Sequence, residues 1–178
     1  MKLSLHMIFG FVLALLWASM GCHNDGHSGQ AATSQNIPQD LKITLERTAC
    51  YGTCPAYKLT ITADGAVVFE GRHFVKKEGA TINSAISQER LKQLMAEFDR
   101  VKFFSLEDDY MEDRRVCDEL ATDHPSAYTS IRINGKSKTI KHYHGCRGPK
   151  VPKELTELEN NIDKIVNTAQ WLPDQKER

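Results

Sequence analysis

The sequence predicts an α+β domain, an antiparallel sheet of about five strands with two helices packed on one face in the order βββαββα. Three observations carry this reading. Apolar and polar residues alternate from Leu41, Tyr57 and Ile131; the pairs Asp64-Gly65 and Asn134-Gly135 stand where such runs reverse; and two later stretches change to helical spacing. The chain has 178 residues, 40% hydrophobic and 26% charged, with 23 Lys+Arg against 23 Asp+Glu. That balance excludes long disorder, a collagen-like repeat, a polytopic membrane protein and the basic surface of a dedicated nucleic-acid binder.

The first element is not part of the fold. Lys2 precedes an apolar run from Met7 through Ala18, and small residues follow at Ser19 and Gly21, which is the pattern of a signal peptide over residues 1–21. A permanent span needs about 20 apolar residues, and this run is shorter. Ser19-Met20-Gly21-Cys22 resembles the lipobox of bacterial lipoproteins, which implies lipidation of Cys22 and anchorage of the chain to a membrane; cleavage by an ordinary signal peptidase, leaving a free Cys22, is the alternative. By the same resemblance, His23 in place of Asp after the cysteine implies the outer membrane of a Gram-negative envelope, facing the periplasm. Residues 22–38 read as a flexible tether, in which His23 and His27 are solvated linker residues rather than a metal trap. Removal of residues 1–21 takes only Lys2 from the charge count, so the exported chain is near neutral and electrostatics names no partner.

A single domain is expected over residues 39–172. Leu41, Ile43 and Leu45 alternate with Lys42, Thr44 and Glu46; Tyr57, Leu59 and Ile61 repeat the pattern; Asp64-Gly65 turns the chain into a third strand through Val67, Val68 and Phe69. Ser87 is placed to cap a helix carrying Leu91, Leu94, Met95, Phe98 and Val101, with Ile86 and Leu91 spaced as a hydrophobic staple. The charge-rich segment 107–123 reads as a solvated loop, because the acidic order, glycine and terminal Glu of a calcium loop are missing. Ile131 and Ile133, the Asn134-Gly135 turn and a return through Thr139 to His144 make a second hairpin. A last helix starts near Pro152 and bears Leu155, Leu158, Ile162, Ile165 and Val166 on one face; residues 173–178 are a frayed tail.

Five cysteines are present. With Cys22 assigned to lipid, Cys50, Cys54, Cys117 and Cys146 remain, an even number that in an exported chain points to disulfides. Three pairings are open, and Cys50 with Cys54 and Cys117 with Cys146 are favoured. The former requires the chain to turn, since four extended residues span about 13 Å and a disulfide tolerates at most about 7 Å between α-carbons; Gly52 and Pro55 suit such a turn. A redox role for Cys50 and Cys54 is disfavoured by a three-residue spacer between strands. His142 and His144 share a strand face and could, with His124 or Cys117, assemble zinc, although locally bonded histidines are the commoner outcome. Asp123-His124 is an isolated acid-base pair in a loop. There is no nucleophile elbow, phosphate loop or metalloprotease motif, so no catalytic residue and no cofactor is assigned, and whether the chain is an enzyme stays open, with the balance toward no.

Cys50-Tyr51-Gly52-Thr53-Cys54-Pro55-Ala56-Tyr57, the following strand and Asp64-Gly65 hairpin, and Phe69-Glu70-Gly71 resemble a bacterial domain family of unknown function found in exported proteins and lipoproteins. The resemblance is specific over residues 41–71 and extends toward the last helix, with Thr122-Asp123 also family-like. It implies export and a single domain, and no activity. The function expected is a non-catalytic binding module of the cell envelope whose partner is another envelope protein or a wall component, with Tyr51, Gly52, Thr53, Pro55, Tyr57 and Asp123 as the binding loop. A metal- or thiol-dependent site on His142, His144, Cys117 and Cys146 is one alternative, and a structural envelope protein another.

Overall fold

The computed structural model describes residues 36–111 and 115–174. The expected signal peptide, Cys22, His23, His27 and most of the tether lie outside the described residues, as do residues 112–114 and 175–178.

The alternating segments form strands where expected. β1 (Lys42–Arg47) pairs antiparallel with β2 (Ala56–Thr62), and β2 with β3 (Ala66–His73). The turn between β2 and β3 has three residues, not the two of a minimal hairpin. The Gly65 N–H donates to the Thr62 carbonyl, and Gly65 takes φ +85°, as a type I turn closed by a left-handed residue requires. β4 (Thr81–Ala85) adds to the outer edge of β3. Helix α1 (Gln88–Arg100) follows, and the Ser87 hydroxyl accepts a hydrogen bond from the Arg90 N–H. β5 (Asp109–Tyr110) and β6 (Glu119–Leu120) interrupt the segment expected to be loop alone. β7 (Ser126–Ile133) and β8 (Lys136–Tyr143) make the second hairpin, with Asn134 and Gly135 both at positive φ, the two-residue type I′ turn. β9 (Cys146–Arg147) pairs with β6, and α2 (Lys153–Val166) closes the domain with Pro152 as its N-cap rather than its first helical residue.

The main sheet has seven strands in the order β4-β3-β2-β1-β7-β8-β5, antiparallel except for the parallel β5–β8 pair. The expectation of about five strands was too low. The two missed strands carry little local signal: β4 has only Ile82 partly buried, and β5 is two residues long and is held by its partner.

One face of the sheet presents Ile43, Leu45, Leu59, Ile61, Val67, Phe69, Ile131 and Ile140, all 2% exposed or less, to Leu91, Leu94 and Phe98 of α1 and Leu155, Leu158 and Ile162 of α2, and these form one hydrophobic cluster. Phe69 stacks between Tyr57 and Trp171, with ring centroids at 5.3 and 4.6 Å. The other face carries Thr44, Thr60, Ser130, Arg132 and Lys141, partly or fully exposed, the alternation of an antiparallel sheet covered on one side. Among the described residues no helix is long and apolar enough to cross a membrane.

Candidate functional site

Strand register brings the chemistry to one end of the sheet. Tyr57 on β2 lies opposite Arg47 on β1, Arg47 opposite Ala127 on β7, Ala127 opposite His142 on β8, and His142 opposite Tyr110 on β5. The connections leaving this end are the Cys50–Cys54 loop, the 121–125 segment and the turn after His144. Three regions distant in sequence therefore meet.

On the surface, the sulfurs of Cys50 and Cys54 are at bonding distance and their α-carbons 5.6 Å apart, so the loop closes on itself. Gly52, at φ +150°, directs its N–H back to the Cys50 carbonyl. Tyr51 projects outward, 89% exposed, and its N–H donates to the carbonyl of Asp123 at 3.3 Å. Asp123 itself is left-handed at φ +67°, its carboxylate accepting from the Thr122 hydroxyl. Beside them a pocket of about 300 Å³ is lined by Arg47, Thr53, Cys54, Pro55, Pro125 and Ser126. Five of the six residues expected to form a binding loop are thus neighbours at or near the surface. Tyr57 is not among them. It is 1% exposed, anchored in the core with its hydroxyl donating to Asp163, because period-2 alternation turns it inward with Leu59 and Ile61.

The second pair, Cys117 and Cys146, is also at bonding distance, with α-carbons 5.1 Å apart. Both pairs are those favoured from the sequence, and two disulfides accord with an oxidising, exported environment. Bonded to each other, Cys117 and Cys146 offer no thiolate, which removes them as ligands or nucleophiles beside the histidines.

Beneath this end lies a charged network that the sequence did not disclose. α2 places Glu159 and Asp163, one turn apart, over the row of strand residues. Asp163 accepts from Arg47 Nε at 2.8 Å, from the Tyr57 hydroxyl at 2.6 Å and from the Thr168 hydroxyl at 3.1 Å. Glu159 is 0% exposed; its Oε1 is 2.8 Å from His142 Nδ1, its Oε2 3.1 Å from His144 Nε2 and 4.0 Å from Arg47 Nη1. Burial would push the Glu159 carboxyl up, and the hydrogen bond from His142 together with the nearby His144 imidazole outweighs it, so it lies below its ordinary value. Burial likewise works against the Arg47 charge, and the Asp163 carboxylate foremost outweighs it. Burial and the Asp163 charge raise the Tyr57 phenol well above its usual range. His124, an expected partner of the histidines, is exposed and outside this cluster; Glu159 occupies the place instead. A signal existed: residue 159 falls on the buried stripe with 155, 158, 162 and 166, where a carboxylate needs a partner.

A groove of about 1100 Å³ lies at the far end of the sheet between Asn36–Lys42, Thr62–Asp64 and Asn134. Its carboxylates are already engaged, Asp40 by the Asn134 and Gly135 N–H groups and Asp64 by Thr62 and Ala66.

Residues 41–166 match the family described as a domain of unknown function, DUF6438. No curated protein matches the chain. The match spans well over half of the sequence, so the chain belongs to that family.

Proposed function

We propose that this DUF6438 protein is an exported lipoprotein of a bacterial cell envelope, anchored through Cys22, whose domain is a non-catalytic binding module for another envelope protein or a wall component. The observation that carries the reading is Tyr51, a large aromatic held 89% exposed on a ring of five residues closed by a disulfide. An exposed tyrosine on a restrained loop loses little freedom on binding and offers both a ring and a hydroxyl, the properties of an interface anchor. Thr53, Pro55 and Pro125 extend the surface into the adjacent pocket. The two disulfides support export, and the signal pattern at residues 1–21 with Gly21-Cys22 supports the anchor.

The test begins with the full chain expressed in its own envelope, where the mass of the N-terminal peptide should show lipid on Cys22. Partners are then captured by cross-linking, with wild type and Tyr51→Ala compared. Loss of an anchor residue of this kind should weaken the captured interaction about 30-fold, equivalent to about 2 kcal/mol, with thermal unfolding unchanged. An unmodified Cys22 would remove the anchor, and a partner set identical between the two proteins would remove the binding loop.

A further inference from the structure

We propose that His142, His144 and Glu159 form a binding site for one divalent transition-metal ion of the zinc class. One ligating atom from each residue lies within 4.8 Å of the others. Around zinc, with bonds of about 2.0–2.2 Å, tetrahedral ligand atoms stand roughly 3.4 Å apart, so the triad, already within 4.8 Å, is near the spacing an ion needs. His142 sits near the end of β8 and the glutamate on α2, both buried, while His144 stands in the turn directly after β8, where its N–H donates to the Pro125 carbonyl at 3.0 Å. Among the described residues no second such grouping occurs.

A metal-free His–Glu–His cluster explains the same neighbours and leaves one feature unexplained. His142 Nδ1 and Glu159 Oε1 are hydrogen-bonded at 2.8 Å. His144 Nε2 and Glu159 Oε2 are closed off from water and 3.1 Å apart, an ion-pair distance, but are not aligned as a hydrogen bond. Buried polar atoms without partners are costly, and two that face each other are the donors an ion placed between them would satisfy.

Charge points the same way. Arg47 is committed to Asp163 through its Nε and to Asn160 through its Nη2, and only its Nη1 approaches Glu159, at 4.0 Å. The buried carboxylate therefore has no close fixed cation besides what the imidazoles hold. Two imidazoles and one carboxylate are a donor set for zinc that leaves a coordination position open. With the four described cysteines bonded in pairs, imidazole and carboxylate are the ligands this domain has to offer. The Tyr110 and His142 rings meet edge to face with centroids 6.4 Å apart, and the small Ala127 is the neighbour of His142 on β7.

The experiment uses the full chain, stripped with chelator and titrated with zinc by calorimetry, then with cobalt(II) followed in the visible. One equivalent of zinc should bind and raise the melting temperature with concentration, and cobalt should give the intense d–d bands of low coordination number. His144→Ala, at a partly exposed position, should weaken zinc binding at least 100-fold with far-ultraviolet circular dichroism unchanged. A His23→Ala/His27→Ala double variant should bind as wild type does, which separates this site from the N-terminal histidines. X-ray absorption at the zinc edge of that double variant should count two imidazoles, a readout that needs no change in the core. No stoichiometric binding, binding retained in His144→Ala, or fewer than two imidazoles would each overturn the site.

Discussion

Tyr57 shows how one side chain can serve two layers of the structure. Its ring packs on Phe69 within the core, while its hydroxyl donates to Asp163, which also accepts from Arg47 and Thr168. Tyr57→Phe keeps the ring and removes one of three donors to that carboxylate, so the expected cost near pH 7 is about 1 kcal/mol, read by urea denaturation. The raised phenol gives the change a pH signature. The folded chain holds the Tyr57 proton to higher pH than the unfolded chain, so this stabilisation is complete below the ordinary tyrosine value of about 10 and is lost as pH rises above it. At about 1.4 kcal/mol per pH unit, the advantage of wild type over Tyr57→Phe should vanish by about pH 11. A difference that stays constant from about pH 7 to pH 11 would show that the hydroxyl titrates alike in both states.

The elements differ in how much of their geometry is local, and glycine substitutions separate the cases. Gly65 and Gly135 both adopt positive φ in hairpin turns, at +85° and +73°. A β-carbon on Gly135 meets nothing within 4 Å, whereas one on Gly65 would lie 2.4 Å from the Ile86 carbonyl oxygen, where the chain enters α1. Gly135→Ala should cost about 1–2 kcal/mol, the price of a left-handed alanine, and Gly65→Ala clearly more, in thermal or urea unfolding. Equal losses would mean that the β4–α1 connection yields freely. The same contrast explains what the sequence disclosed. The two hairpins, the Ser87 cap and the apolar stripes of both helices are short-range patterns and are legible. β4 exists through pairing with β3, and β5 through pairing with β8, so neither has a periodicity of its own. The sequence offers His124 or Cys117 as the partner of His142 and His144, and Glu159 takes that place in the structure. The crossing of α2 over the sheet, which brings in Glu159, is a property of packed layers and not of any local run.

For the molecule as a whole, the two disulfides divide the tasks of stability and shape. Cys117–Cys146 joins residues 29 apart and fastens the segment leading into β6 to its partner strand β9, while Cys50–Cys54 joins residues four apart within one loop. Chain entropy makes the longer closure worth about 4 kcal/mol and the shorter about 2 kcal/mol, provided neither is strained. Cys117→Ser/Cys146→Ser should therefore lower the denaturation midpoint about twice as far as Cys50→Ser/Cys54→Ser. Binding should follow the opposite order, because the short ring is what holds Tyr51 out beside Asp123. Opening it returns the tyrosine to the entropy of a free loop, which weakens capture even where the domain stays folded. Both double variants should be measured for unfolding and for partner capture. If the variant that loses more stability also loses more binding, the loop has no role separate from the fold, and recognition has to be placed elsewhere on the domain.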